Sequence, residues 1–211
     1  MSGNLLWGVK GGSGVTVVAA GLAVSLARQR SVLLADLAGD QPAVFGLTDD
    51  DRPGISEWAT AAEVREDSLA RLCRPVAPNL DLLTRGALSI PVDTPVRLGA
   101  ALDSDHRSLV IDAGVQPAGL DRQGASLTSV LVVRSCYLAL RRVVRLEHPP
   151  DVVVLVAEPG RSLDRRDVER VVGAPVVASV EVDASVARRV DAGLLAHRLP
   201  PTLQRLGRRF S

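Results

Sequence analysis

Apolar residues recur along this chain in two rhythms. Short continuous runs, rich in Val, Leu and Ile, stand at residues 5–9, 32–35, 109–111, 130–133, 152–156 and 176–180, with a shorter one at 81–83. Runs of this length, bounded by turn residues, predict strands. Between them lie stretches where apolar positions return every three or four residues: 16–28, 95–102, 138–146, 163–172 and 184–192. That spacing predicts helices. In the first, Val17, Ala20, Leu22, Leu26 and Ala27 are expected mostly inward. Strands alternating with helices imply βαβ units. The fold class is therefore α/β: one doubly wound, mostly parallel sheet with helices on both faces. Residues 48–54 are acidic, end on Pro53-Gly54 and predict a surface loop. No repeat, low-complexity tract or long linker divides the chain.

Composition narrows the picture in three ways. Aromatics make up 2% of 211 residues, so Val, Leu and Ala must fill the core of a single domain. The two cysteines, Cys73 and Cys136, are far apart and lack metal-ligand spacing, which points to a reducing compartment. No basic-then-apolar leader is present, and no stretch approaches the roughly 18 apolar residues that span a bilayer. A cytoplasmic chain is expected, at most peripheral to the inner face of the cell membrane.

The net charge of +1 hides an asymmetry: residues 1–133 hold 11 basic and 15 acidic side chains, residues 134–211 hold 14 and 9. The basic C-terminal third suits either an anionic partner, nucleic acid or lipid, or plain solvation. Lys10 is the one lysine beside 24 arginines, and it stands just before Gly11-Gly12. A lysine is a compact point charge where arginine is a wide fork, so a tight phosphate loop is one reason for it to persist.

Lys10-Gly11-Gly12-Ser13-Gly14-Val15-Thr16 joins the first predicted strand to the first predicted helix. Glycines let successive backbone N–H groups converge on one anion, and the helix adds its positive end. Thr16 offers a hydroxyl to Mg²⁺. The alternative is a tight turn that binds nothing.

This string resembles the deviant Walker A motif, KGGxGK[ST], of the ParA/MinD superfamily. The resemblance implies a P-loop fold binding ATP with Mg²⁺ through Lys10, Gly11, Gly12, Ser13, Gly14, Val15 and Thr16. It implies that Lys10 reaches a nucleotide across a dimer interface. The family's second lysine, which grips the β- and γ-phosphates, is Val15 here, and no nearby side chain replaces its charge. Val32-Leu33-Leu34-Ala35-Asp36 resembles the strand entering switch I, but the second aspartate of the family's D-x-D is Ala38. That aspartate positions the attacking water. Asp40, two residues on, is the candidate catalytic substitute. Leu109-Val110-Ile111-Asp112-Ala113-Gly114 resembles Walker B and switch II, so Thr16, Asp36 and Asp112 are the implied Mg²⁺ ligands. Glu158 stands where the family often has an adenine-reading asparagine. The replaced second lysine is also similar to the TadZ/CpaE-like branch, which positions pilus machinery.

The resemblance covers residues 1–199. Residues 200–211 form a basic tail with Leu203, Leu206 and Phe210 on one side and Arg205, Arg208 and Arg209 mostly on the other. It suits a closing helix, a membrane contact or a DNA-facing patch. The reading that follows is a degenerate ParA/MinD-like homodimer that positions or scaffolds a protein partner, at the cell pole, septum, pilus or segregating DNA, with ATP held weakly or not at all. The alternatives are a working ATPase that switches between monomer and ATP-sandwich dimer, and a nonspecific nucleic-acid-binding module. His106, His148 and His197 are scattered, and no Ser/His/Asp constellation appears.

Overall fold

The structure, a computed structural model, describes residues 3–48, 52–61, 66–102, 105–115 and 127–210. It opens with β1 (Gly3–Gly8), α1 (Val15–Ala27) and β2 (Val32–Asp36). Three short helices follow: α2 (Gln41–Val44), α3 (Ile55–Thr60) and α4 (Glu66–Leu72). A hairpin of β3 (Arg74–Ala77) and β4 (Leu80–Leu83) leads to α5 (Thr94–Ala101) and β5 (Ser108–Val115). The second half runs β6 (Leu127–Arg134), α6 (Tyr137–Val143), β7 (Val152–Ala157), α7 (Arg165–Val172), β8 (Val176–Glu181) and α8 (Ala184–Asp191). It closes on α9 (Pro201–Gln204) and a 3₁₀ turn at Gly207–Arg209.

The strands form one sheet in the order β3-β4-β2-β5-β1-β6-β7-β8, parallel throughout except for β3 against β4. Every strand expected from the apolar runs is present. The additional strand, β3, lies at the edge and contains Pro75. Proline cannot donate to a ladder, so an edge is where such a strand fits and why its sequence does not read as one. Helix α7 begins at Arg165 rather than 163 because Asp164 caps it, its Oδ1 accepting the Asp167 N–H at 2.9 Å. In the loop expected at 48–54, Thr48 and residues 52–54 are irregular, while 49–51 lie outside the described residues. Gly54 is buried rather than at the surface.

Helix α1 departs most from the sequence reading: it is buried on nearly every side, including Val18, Ala19, Ala23 and Val24. One side lies on the sheet and the C-terminal tail covers the other. Leu203 and Leu206 are buried there, and a Cβ at Gly21 would stand 3.0 Å from Leu203 Cδ2. Ser25 Oγ donates to the Gln204 carbonyl at 2.8 Å and accepts from the Gly207 N–H at 3.2 Å. Arg30 Nη2 donates to the Phe210 carbonyl at 3.0 Å. The apolar side of the tail thus completes the domain's own core and is not offered to a membrane.

Candidate nucleotide site

Strand β1 sits mid-sheet, with β5 on one side and β6 on the other. In open α/β sheets ligands gather outside the carboxyl ends of such strands. Here that place is a cavity of about 460 Å³, lined by residues 10–17, Leu37, Ala38, Asp40, Arg85 and residues 113–115. The turn from β1 into α1 forms one wall. Gly12 (φ +73°) and Gly14 (φ +90°) take left-handed backbone there, which a side chain would strain. Ser13 is buried, and its Oγ donates to the Lys10 carbonyl at 2.9 Å, closing the turn. Lys10 folds back on the loop, Nζ donating to the Gly11 carbonyl at 2.9 Å.

Val15 is 6% exposed and packs with the core beneath the loop. Its Cγ2 fills the space over Gly8, 2.9 Å from where a Cβ there would sit. A hydrocarbon therefore seals the position at which the Walker A resemblance calls for a phosphate-gripping cation.

Behind the cavity wall, and not part of its lining, lies a buried acidic pair. Asp36 and Asp112 end up side by side because β2 and β5 pair in parallel with these residues in register. Asp36 is fully buried and ties down the turn after β2. Its Oδ1 accepts from the N–H of Ala38 (3.0 Å) and Gly39 (2.7 Å), and its Oδ2 from that of Gln41 (3.0 Å). Burial pushes its carboxyl up to about 7; the Gly39 N–H opposes this, and the neighbouring Asp112 charge adds to it. Asp112 accepts from Gln41 Nε2 (2.8 Å), from the Gly114 N–H (3.0 Å) and from the Thr16 side chain. Burial raises this carboxyl too, against those hydrogen bonds.

Gln41 is the hub of this cluster. Fully buried, its Nε2 also donates to the Thr16 carbonyl at 3.0 Å, while its Oε1 has no hydrogen-bond partner. An orphaned amide oxygen beside a hydroxyl and two carboxylates is a hard donor set. It fits Mg²⁺, which takes oxygen ligands and shares them with substrate phosphates. Thr16, which lines the cavity, would hold it with Asp112 behind it as hydrogen-bond partner, whereas both oxygens of the fully buried Asp36 are already taken by backbone N–H groups. Among the described residues, no group of three or more His, Cys, Asp or Glu could hold a metal.

Asp40 is exposed and lies on the cavity wall, where its charge raises the Asp112 carboxyl. Glu158, just beyond β7, is clamped between two guanidiniums, with Arg134 Nη1 at 2.5 Å and Arg161 Nε at 2.6 Å. Of the residues singled out by the motifs, Lys10 to Thr16 and Asp40 line one cavity, while Asp36 and Asp112 are fully buried beside it and do not line it. Two residues escaped the sequence reading. Gln41 follows Asp40 and reads as an ordinary helix-start residue. Arg85 lies more than sixty positions from the loop yet lines the same cavity. Its one signal is its place just past the 81–83 run, at a strand's carboxyl end.

A glycine-rich strand-to-helix loop, a cavity over the sheet's carboxyl edge and a Thr/Asp cluster beside it define a P-loop nucleotide-binding fold. The sequence matches the CobQ/CobB/MinD/ParA nucleotide binding domain over residues 5–196, and the chain belongs to that family. The fold is similar to that of a ParA family ATPase from Chlorobium tepidum TLS (18% identity, TM-score 0.72, covering 99% of this chain and 94% of that one). It is also similar to the septum site-determining protein MinD complexed with Mg-ADP from Pyrococcus horikoshii OT3 (19%, 0.72, 100% and 94%). A third likeness is to the MinC:MinD cell division protein complex of Aquifex aeolicus (14%, 0.74, 99% and 95%). No curated protein matches the sequence.

Proposed function

We propose that this chain is a degenerate ParA/MinD-type positioning or scaffolding protein of the cytoplasm, which holds Mg-nucleotide weakly and hydrolyses it negligibly. One observation carries the reading. A cavity stands over the loop glycines, while the two positions at which the resemblance calls for a phosphate-gripping lysine and a water-positioning aspartate carry hydrocarbon. Val15 packs into the core, and Ala38 has only a methyl group in the cavity wall. Loss of a charge-assisted phosphate contact removes about 1.5–3 kcal/mol. Recruitment of a protein partner suits such a fold; a structure of similar fold is that of MinD in complex with MinC.

The gathering of Thr16, Asp36, Gln41 and Asp112 favours a second reading, a working ATPase. A hollow lined by Lys10, Leu138, Arg141, Arg142 and Arg145 is where an anionic partner, nucleic acid or lipid headgroup, would meet the basic C-terminal third. Calorimetric titration with Mg-ATP, paired with a phosphate-release assay, tests the main reading. Affinity weaker than micromolar with no measurable turnover is expected. Micromolar or tighter binding with turnover near ~1 per second, ordinary for enzymes, would establish the second reading instead.

A further inference from the structure

Among the described residues, Arg85 is a charged side chain without a counter-charge. It forms no ion pair among the described residues, although it lines the same cavity as the glycine loop. Its Nη1 donates to the carbonyls of Ala38 (3.3 Å) and Leu37 (3.5 Å), both long contacts. Among the described residues its Nη2 and Nε have no partner. Arg85 is half-buried, and its guanidinium lies against the Leu37 and Ala38 carbonyls. With Lys10 it is one of two cations lining the cavity, against Asp40 as the one acid there.

The backbone that carries it is built to stay in place. The first N–H groups of α3 are capped by this segment: Ile55 N–H donates to the Thr84 carbonyl at 2.9 Å and Ser56 N–H to the Arg85 carbonyl at 2.8 Å. The Glu57 carboxylate accepts from Gly54 N–H (2.7 Å) on one side and Ala87 N–H (2.9 Å) on the other. Gly54 passes so close that a Cβ there would stand 2.4 Å from the Thr84 carbonyl oxygen. Helix α3 is itself held, with Trp58 buried beneath the Arg97 guanidinium at 5.5 Å. A purely decorative surface arginine has no need of such a mount.

We infer that Arg85 replaces the missing loop cation: it binds the terminal phosphates of a nucleotide in the cavity that it lines together with the loop. A fork of N–H donors suits phosphate oxygens, and a cavity of this volume has room for a small-molecule ligand. The site is rebuilt with the charge moved from the loop to the end of β4. This rests on the nucleotide-binding part of the reading above and names the group on which the residual affinity depends.

The test is titration of Mg-ATP and, separately, tripolyphosphate into wild type, Arg85→Ala, Arg85→Gln and Arg85→Lys, with melting temperatures in parallel. Arg85→Ala should weaken both ligands about tenfold or more, the scale of one charged contact. Its melting temperature should stay within a degree or so of wild type, and Arg85→Lys should recover part of the affinity. Arg85→Gln keeps a donor without the charge, so a folding defect in the alanine variant leaves the comparison intact. Equal affinities of wild type and the uncharged variants would overturn the inference, as would a lower melting temperature alone. So would loss of ATP binding with tripolyphosphate unaffected. Wild type that binds neither ligand overturns the role of Arg85 and leaves the scaffolding reading standing. Micromolar binding that disappears in Arg85→Ala supports the role of Arg85 and overturns the weak-binding reading.

Discussion

Val15 shows how one side chain can redirect a phosphate site without disturbing its backbone. It is the first residue of α1, and its branched side chain packs against Gly8. Val15→Lys therefore has two expected effects. It lowers stability, because a nearly buried valine is lost from a packed core and such deletions cost on the order of 1–3 kcal/mol. It also raises Mg-ATP affinity about tenfold or more, because a lysine stem can turn from the core into the adjoining cavity. Thermal melting and calorimetry read the two effects separately. A folded variant that binds no better would mean that the cavity is closed to nucleotide for some reason other than charge. The same lysine in the Arg85→Ala background should restore binding, since either cation would serve the same phosphates. The loop and both aspartates were legible in the sequence because each belongs to a contiguous string with a known geometry. Arg85 and Gln41 were not, because their roles arise from tertiary proximity: Arg85 from the pairing of β4 with β2, Gln41 from the turn that Asp36 ties down.

Among the elements, the apolar runs revealed the parallel strands reliably because a strand covered on both faces needs hydrocarbon at consecutive positions. The pieces that stayed hidden are short or at the rim. Helices α2, α3 and α4 span four to seven residues, too few for a helical period to declare itself. The burial of α1 depends on a tail far away in sequence. Helix α3 is held by polar contacts as much as by packing, and Glu57 is the centre of them. Burial works against its charge, but the N–H groups of Gly54 and Ala87 prevail and hold its carboxyl down at about 2, against an ordinary 4.5. A carboxyl lowered on folding adds stability that is fully present above the unfolded value and lost as pH falls through the folded one. Wild type should therefore lose stability relative to Glu57→Gln between pH of about 4.5 and about 2. At neutral pH the glutamine variant should be the weaker by a modest amount, since this carboxylate is partly solvated. Chemical denaturation at several pH values checks both halves. A gap between the two proteins that does not change with pH would remove the carboxylate from its anchoring role.

At the scale of the whole molecule, the cavity opens beside an exposed glycine loop and the one lysine of the chain. Gly11 and Gly12 are exposed, and Lys10 is held there by a single contact to its own neighbour's carbonyl. A lysine crossing to a second copy, as the family resemblance implies, needs an acid it can reach. Asp36 and Asp112 are both fully buried and already hydrogen-bonded, so they are closed to it. Asp40 is exposed on the cavity wall. The expected assembly is a homodimer joined through the cavity face, with Lys10 of one copy against Asp40 of the other. Because that contact needs no nucleotide, the dimer should form with or without Mg-ATP. Lys10→Ala should weaken self-association while the monomer stays folded. Lys10→Asp should weaken it further, because like charges facing each other across an interface cost several kcal/mol. Combining Lys10→Asp with Asp40→Lys reverses both charges and should bring the dimer back, which neither substitution does alone. Sedimentation velocity over a concentration series, with and without Mg-ATP, reads all five proteins, Asp40→Lys alone included. A wild-type monomer at the highest concentration under both conditions defeats the assembly. A dimer indifferent to Lys10→Ala keeps self-association but moves it to another face, and a double variant no better than Lys10→Asp alone rejects Asp40 as the partner.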